Sequence, residues 1–282
     1  MRLLPGRLRI FGSALWVFGF LHSVSPAWAR LDVSFLAVGQ GDSEFLVLPD
    51  GQTVLIDGGP SSSSLVSFLT SSGITAIDHV VLSHPHADHY RGLNWVFDNL
   101  TVRNFYDNRA APAVAGEFRE AEIQLFRAKV AAKQGCEIHY PVIGSELDWG
   151  AGVRVTVLNG CNEPASAMRV TNPNDCSLVL RVEHESRAVM FQGDAEKATI
   201  SRMISRFGDA LQSDVLKVGH HGSANATTAA WLQRVMPSEA FIEVGKNSYG
   251  HPTPTALDLL AASGATVWRT DLNGTGHIRL GN

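Results

Sequence analysis

Short β-rich runs alternate with helical runs along most of the chain, and this alternation limits the folds open to it. The runs "RLDVSFLAV", "SEFLVLP" and "QTVLIDGG" are separated by Gly and Asp turns, which predicts a meander of three strands. A helical run, 61–73, then ends at Gly73 and precedes the buried strand "IDHVVLS". A second helix is predicted over "DHYRGLNWVFDNL", 88–100.

The second half repeats this pattern. A hairpin, "SLVLRVEHESRAVMFQGD", is followed by three strands, "DVLKVG", "EAFIEVG" and "ATVWRT", with a helical run before each. The middle, 107–175, is less regular and holds an alanine-rich helix (about 115–133), two short strands and a polar loop. Mixed strands with helices between them predict an α/β fold of two sheets covered by helices, a four-layer αββα sandwich. Chemistry is then expected at strand ends, along one edge of the layers.

The first 29 residues are typical of a signal peptide, with cleavage expected after Ala29. A basic start is followed by the apolar run "IFGSALWVFGF" and by the small-residue ending "SPAWA". The alternative is an uncleaved membrane anchor, and it is disfavoured because the apolar run is shorter than the ~20 residues that a bilayer span needs. After cleavage we expect a periplasmic or secreted protein with no stable membrane association.

Charge argues against a broad nucleic-acid-binding surface. The chain has 23 basic and 27 acidic side chains, and three of the basic ones, Arg2, Arg7 and Arg9, fall in the segment removed, so the mature charge is −7. A polyanion partner normally leaves a basic footprint, although bound metal adds charge that a residue count omits.

Three cysteines, Cys136, Cys161 and Cys176, leave at least one thiol unpaired in an exported chain. Cys161 and Cys176 bracket a short loop, and either form a disulfide or pack as small apolar residues.

The stretch "LSHPHADHYRGL", 82–93, places His84, His86, Asp88 and His89 directly after a predicted strand. Imidazole and carboxylate groups are ligands for zinc-like ions, and Pro85 restricts the loop that carries them. Asp88 alone would also suit a helix N-cap. The four residues together predict a metal-binding loop.

This loop resembles the signature of the metallo-β-lactamase fold superfamily, in which such residues hold one or two metal ions. The stretches "VGQGDSEFLVLPDGQTVLIDGG", "FQGD", "LKVGHHGS", "VGKNSYGHP" and "RTDLNG" are similar to the metallo-β-lactamase domain of the ComEC competence (DNA-internalisation) family. The resemblance covers Leu31 to about Gly274 and is weaker from 100 to 170. It implies one metallo-β-lactamase-like hydrolase domain over residues 30–282.

Carried over position by position, the resemblance implies two metal sites that share a carboxylate. The implied ligands are His84 and His86 for a first ion, Asp88, His89 and His220 for a second, and Asp194 between the two. For Asp194, a plain turn residue after a strand is the alternative. Asp57 would hydrogen-bond groups of the loop and orient a histidine.

One departure from the superfamily pattern concerns the first site. A further histidine usually precedes the strand that here begins "SLVLRV", but this chain has "TNPNDCS", 171–177. Asn172, Asp175 and Ser177 are the replacements that the resemblance suggests, and none equals imidazole as a zinc ligand. The resemblance therefore leaves open one or two ions, and Zn²⁺ or Mn²⁺.

The chemistry implied is hydrolysis through a metal-bound hydroxide, because divalent ions lower the pKa of water and stabilise negative charge on oxygen. Asp88 or Asp194 would orient the nucleophile, and His221 or His251 would donate to the leaving oxygen. His221 is alternatively a plain loop residue, and His251 lies in a segment that equally suits a structural turn. Lys217 is interpreted either as a cation that reaches an anionic substrate or, in preference, as a solvated strand lysine.

The ComEC-type resemblance favours a phosphodiester substrate, with single-stranded DNA as one candidate. Two alternatives stay open: a hydrolase of carboxylic esters, lactones or β-lactams, and a non-catalytic metal-binding module. The sequence does not determine the oligomeric state.

Overall fold

The computed structural model describes residues 30–112, 120–161, 169–170 and 172–281. The predicted signal peptide lies outside these residues, as does the predicted start of the alanine-rich helix near 115. The strands are β1 (Leu31–Phe35), β2 (Glu44–Val47), β3 (Thr53–Ile56), β4 (Ala76–Val81), β5 (Thr101–Tyr106), β6 (Ala111–Pro112), β7 (Glu137–His139), β8 (Glu146–Leu147), β9 (Arg154–Asn159), β10 (Arg169–Val170), β11 (Val179–His184), β12 (Arg187–Phe191), β13 (Val215–Lys217), β14 (Glu239–Ile242), β15 (Thr266–Arg269) and β16 (Gly276–Leu280). The α-helices are α1 (Ser62–Ser71), α2 (Ala87–Tyr90), α3 (Leu93–Asn99), α4 (Glu120–Ala131), α5 (Lys197–Phe207), α6 (Ala229–Val235), α7 (Pro254–Ser263) and α8 (Thr270–Asn273).

Two seven-stranded sheets form the centre of the fold. The first has the order β16-β1-β2-β3-β4-β5-β7, and the second has the order β15-β14-β13-β12-β11-β9-β8. In β1 the buried and half-buried residues alternate, so every second side chain points between the sheets. Phe35 of β1 lies there against Phe241 of β14, with ring centroids 4.0 Å apart. The two sheets therefore share one apolar core.

Helices cover the outer face of each sheet. Leu65 of α1, Phe97 of α3 and Phe126 of α4 belong to the core cluster on the outer side of the first sheet. Ile200 of α5 and Trp231 of α6 belong to the corresponding cluster on the second sheet. The prediction of a four-layer αββα sandwich is confirmed. In the described part of the chain, no helix has the length and apolar character needed to cross a bilayer.

The structure differs from the prediction at several elements. The single helix expected over 88–100 is two short helices, α2 and α3, because the N–H of Gly92 donates to the carbonyl oxygen of Gly59 (3.2 Å) and not to the preceding helical turn. Asp88 is inside α2, whose N-cap residue is His86, so the N-cap interpretation of Asp88 is wrong. The strands β5 and β16 were not predicted; β5 follows α3 without a turn residue, and β16 is five residues long.

The structure joins Cys161 to Cys176 in a disulfide and leaves Cys136 as a thiol. Of the two alternatives for Cys161 and Cys176, a disulfide or two small apolar residues, the structure thus shows the disulfide. The bond ties the end of β9 to the segment that precedes β11, next to the strand ends where chemistry is expected.

Reduction of this disulfide is expected to lower the free energy of unfolding by about 3 kcal/mol, because the bond closes a loop of about 15 residues in the unfolded chain. Urea denaturation with and without dithiothreitol measures the difference. The Cys161→Ser/Cys176→Ser double variant is the control and should not respond to the reductant. Equal stability of the oxidised and reduced wild type would contradict the prediction.

Candidate metal centre

The sequence-predicted site residues meet at one edge of the two sheets. In the first sheet, Asp57 follows β3 and the histidine loop follows β4, and these strands are parallel neighbours. In the second sheet, Asp194 follows β12, and His220 and His221 follow β13, which is also a parallel neighbour. Parallel strands bring their carboxyl ends to the same edge, so residues far apart in sequence meet there, and the ring centroids of His89 and His221 lie 5.6 Å apart.

The buried carboxylate of Asp57 fixes the histidine loop by hydrogen bonds. It accepts hydrogen bonds from the backbone N–H of Ser83 (2.8 Å) and from the Ser83 hydroxyl (2.5 Å). It also lies 2.7 Å from Nδ1 of His89. Three contacts to one carboxylate fix both the backbone of the loop and one of its imidazole rings.

The segment Gly219–Gly222 is a sharp turn that carries two imidazoles in succession. His220 and His221 both have left-handed backbone conformations, with φ values of 46° and 52°. Such values are unfavourable for residues other than glycine and persist only where surrounding contacts hold them. The N–H of Gly219 donates to the side-chain oxygen of Gln192 (3.1 Å), and the carbonyl of Gly222 accepts from the N–H of Thr253 (3.0 Å). These contacts hold a strained turn whose two side chains both face Asp194.

One oxygen atom, Oδ2 of Asp194, is surrounded by the Nε2 atoms of four histidines. The distances to this oxygen are 3.4 Å from His89, 3.6 Å from His84, 3.8 Å from His220 and 3.8 Å from His221. Two ligand atoms on one zinc ion lie roughly 3.3 Å apart, given metal–ligand distances of about 2.0–2.1 Å in a tetrahedron. The spacing is therefore close to that of donors that share a metal ion.

Each of these four rings is held through its other nitrogen. The Nδ1 atoms face Ser83 Oγ for His84 (3.1 Å), Asp57 Oδ2 for His89 (2.7 Å), Glu196 Oε1 for His220 (3.1 Å) and the Glu243 carbonyl for His221 (2.9 Å). A hydrogen bond at Nδ1 fixes the tautomer and leaves Nε2 available for a metal. The arrangement is that of a metal site.

Buried polar atoms without hydrogen-bond partners support the same conclusion. Within the described part of the chain, Oδ1 of Asp194, Nε2 of His89 and Nε2 of His221 are buried and have no such partner. An unsatisfied buried polar atom costs about 1–3 kcal/mol, or more if it is charged. A divalent cation at this point would satisfy all three, so the donors fit a metal ion.

Burial and neighbouring charges together shift the pKa values of the groups in this cluster. Burial opposes ionisation of Asp194, yet His89 and His221 together hold its pKa well below the usual range. Burial likewise opposes the charge on His89, but Asp194 and Asp57 raise its pKa well above the usual value. Burial lowers the pKa of His84, and repulsion from His89 lowers it further. Asp194 is thus ionised, as a metal ligand must be.

The structure places the two histidines of the turn differently from the sequence assignment. His221, rather than His220, lies beside the second group of predicted ligands: its Nε2 is 3.4 Å from Oδ2 of Asp88. Potential ligand atoms of Asp88, His89 and His221 all lie within 4.8 Å of one another. His220 lies on another side of Asp194. The geometry thus favours His221 over His220 as the neighbour of Asp88 and His89, and the ligand role of His220 stays a prediction.

The first group begins with His84 and His86, whose Nε2 and Nδ1 atoms are 2.9 Å apart. The three suggested replacements for the absent histidine are all engaged nearby. The side chain of Asn172 bonds Asn174 and Glu196, that of Asp175 accepts from Thr199, and that of Ser177 accepts from the N–H of Asp194.

His251 stands at the mouth of the site, its ring centroid 5.2 Å from that of His220 and its buried Nδ1 without a hydrogen-bond partner among the described residues.

Sequence reasoning missed a buried group behind the site. Lys217 is fully buried and pairs with Asp42, so the solvated-lysine interpretation is wrong. Oδ1 of Asp42 in turn lies 3.1 Å from Nδ1 of His221. Glu44 and Glu243 complete the group, and burial, with the neighbouring Asp42, raises the pKa of Glu44 to about 8. The Gly-Asp pair after β1, within "VGQGDSEF", was the available signal for Asp42.

Asp57→Asn is expected to lower metal affinity by about 10- to 100-fold, because the amide holds the His89 ring and the loop less firmly than the carboxylate does. Competition with a chromogenic chelator measures the affinity. Asp78→Asn is the matched control: Asp78, on β4, bonds Thr53 and not the histidine loop. Unchanged affinity in Asp57→Asn, or an equal loss in Asp78→Asn, would contradict the prediction.

Comparison with known proteins identifies the family and agrees with this fold. A family model, "Metallo-beta-lactamase superfamily", matches residues 38–242, and the chain belongs to this superfamily. ComE operon protein 3 of Bacillus subtilis (strain 168) is 28% identical over 297 residues, which cover 98% of this chain and 36% of that protein. Competence protein ComA of Neisseria gonorrhoeae is 29% identical over 247 residues, 86% of this chain and 31% of that protein. The chain thus spans about a third of the length of these relatives.

Among solved structures, the diiron β-hydroxylase CmlA from Streptomyces venezuelae superposes with a TM-score of 0.55 at 15% identity, covering 89% of this chain and 54% of CmlA. At that identity the similarity shows the fold alone. The fold and the family are hydrolase-like and metal-binding, and the resemblance to the ComEC family found in the sequence is confirmed.

Proposed function

We propose that the protein is a metal-dependent phosphodiesterase, with single-stranded DNA as the candidate natural substrate. The observation that carries the proposal is the ring of four Nε2 atoms around Oδ2 of Asp194. One carboxylate oxygen among four imidazoles suits two ions that share a ligand, which is an arrangement suited to in-line displacement at phosphorus.

Two groups of residues would hold the ions. His84, His86 and Asp194 belong to the first, and Asp88, His89, His221 and Asp194 to the second. Bound Zn²⁺ or Mn²⁺ would lower the pKa of water and stabilise negative charge on the phosphoryl oxygens. The two groups offer both nitrogen and oxygen ligands, so the residues present suit either Zn²⁺ or Mn²⁺.

The protein's own residues would orient the reactants. Asp88 is half-exposed at the edge of the cluster, with 32% of its side chain accessible, so its carboxylate is placed to accept a hydrogen bond from an incoming water molecule. His251, whose ring centroid is 5.2 Å from that of His220, would contact the leaving oxygen. Arg91 is not available for the phosphate, because its guanidinium bonds Glu122 at 3.0 Å.

The choice of a phosphodiester rests on the relatives, one of which is named a competence protein. An export route is part of the proposal and is supported by the Cys161–Cys176 disulfide, since such bonds persist mainly in oxidising compartments.

The test is an assay of zinc- and manganese-loaded protein with bis-p-nitrophenyl phosphate and, in parallel, with a chromogenic β-lactam and an ester. His86→Ala is the inactive control, and His79→Ala is a matched histidine variant in β4, where His79 bonds Gln52 and Tyr106. Phosphodiester turnover lost only in His86→Ala supports the proposal. Turnover of the lactam or ester alone, or metal binding without any turnover, would overturn it.

A further inference from the structure

The chain lacks the histidine that usually completes the first metal site, and the residues around Glu196 offer a replacement. This inference rests on the proposed metal centre. The second group already has three side chains besides Asp194, namely Asp88, His89 and His221. The first has only His84 and His86 besides Asp194. An ion there needs at least one more protein donor to be held as firmly.

Glu196 is a half-buried residue beside this gap, with 20% of its side chain exposed. It stands at the N-cap position of α5 but makes no capping hydrogen bond with its side chain. Its carboxylate instead accepts from the amide nitrogens of Asn172 and Asn174, each at 3.2 Å, and lies 3.1 Å from Nδ1 of His220. Three side chains from two separate segments are therefore oriented by one carboxylate.

The first consequence concerns His220. With Nδ1 directed at Glu196, its Nε2 faces Asp194, 3.8 Å from Oδ2. Because His221 occupies the second group, His220 is left as an imidazole that faces the shared carboxylate from the side of Glu196.

The second consequence concerns Asn174. Its amide nitrogen bonds Glu196, so its carbonyl oxygen, Oδ1, points elsewhere. That oxygen is buried and has no hydrogen-bond partner within the described residues. Asn174 also lies in "TNPNDCS", where the superfamily usually has its histidine. An unsatisfied amide oxygen at this position is a suitable ligand for a divalent cation, and it suits Mn²⁺ better than Zn²⁺.

We propose that Glu196 is a positioning residue that completes the first metal site by directing Nε2 of His220 and Oδ1 of Asn174 at the ion, in place of the absent histidine. Glu196 acts through these two ligands and does not itself bind substrate. The site then combines three imidazoles, one carboxylate and one amide oxygen, a set that holds Mn²⁺ as well as Zn²⁺.

The experiment counts bound metal and measures each affinity in the full chain. Wild type, Glu196→Gln, His220→Ala and Asn174→Ala are loaded with Zn²⁺ or Mn²⁺, then analysed by elemental analysis and by titration calorimetry. Wild type is expected to bind two ions. Each variant should bind one ion with unchanged affinity and the other about 10- to 100-fold more weakly. Asn99→Ala, which removes an exposed amide that bonds the carbonyl of Trp95 in α3, should bind two ions like wild type.

Two further variants keep the test informative if an alanine variant fails to fold. Glu196→Asp keeps the charge and should recover part of the lost affinity, whereas Asn174→His should increase the affinity for Zn²⁺ at the weaker site. Two ions bound at wild-type affinity in both Glu196→Gln and Asn174→Ala would overturn the inference, as would one ion in the wild type. Two ions in the wild type without phosphodiester turnover would contradict the proposed function and leave this inference supported.

Discussion

Asp194→Asn is expected to lower the proposed phosphodiester turnover by on the order of 10³-fold or more and to remove at least one of the two proposed ions. The substitution replaces the carboxylate that lies within 3.8 Å of four imidazoles by an amide of the same shape. Metal ions contribute several kcal/mol to transition-state stabilisation, and each 1.36 kcal/mol lost lowers the rate tenfold. Turnover of bis-p-nitrophenyl phosphate and elemental analysis measure the two effects.

The control for this variant is Asp175→Asn. Asp175 is near in sequence and was one of the suggested replacements for the absent histidine, but its carboxylate accepts from the hydroxyl of Thr199 at 2.9 Å. We therefore expect this variant to bind two ions and to keep its turnover. If Asp194→Asn also retained both ions and full activity, the shared-ligand arrangement would be incorrect.

Lys217→Met is expected to lower the free energy of unfolding by about 3–5 kcal/mol, the range for removing one member of a buried ion pair. Lys217 is the cation that the buried carboxylates of Asp42, Glu44 and Glu243 share. Burial by itself lowers the lysine pKa, but Asp42 raises it above its ordinary value, so the ammonium stays charged in the folded protein. Its contribution to stability should be lost only as the pH rises through this elevated pKa. Urea denaturation measures the change.

Lys129→Met is the matched control for this prediction. Lys129 forms an ion pair with Asp98 at 2.7 Å, but both side chains are substantially exposed. The expected loss is therefore about 0–1 kcal/mol. The double variant Lys217→Met/Asp42→Asn should recover part of the stability, because it removes one of the carboxylates left without a counter-charge. Equal losses in the two single lysine variants would show that the buried pair has no special role in stability.

The sequence allowed the layers and most of the strands to be predicted because local patterns carried that information. Gly and Asp turns mark the meander of β1 to β3, and the run "IDHVVLS" is apolar enough to indicate a buried strand. The metal loop was visible because its four polar residues are adjacent. The strand β16 was missed because what makes it a strand is its pairing with β1, a contact that no local window contains.

The histidine turn shows why ligand assignment was harder. His220 and His221 are adjacent in sequence, and nothing in "GHHGS" says which ring faces which group. The left-handed conformation of both residues decides this, together with the contacts of their Nδ1 atoms. Lys217 is similar, because its apolar neighbours Leu216 and Val218 do not show that its ammonium meets a carboxylate 175 residues earlier.

The pairing of β1 with β16 has a consequence for how the chain reaches this fold. The two strands are antiparallel partners in one sheet, although Ser34 and His277 are 243 residues apart. Until the later strand arrives, one edge of β1 has unpaired backbone N–H and carbonyl groups, and such an edge is a template for pairing with another chain. Closing so long a loop is also slow compared with forming local contacts. Aggregation during synthesis or refolding should therefore depend mainly on how long the edge of β1 stays unpaired before β16 joins the sheet.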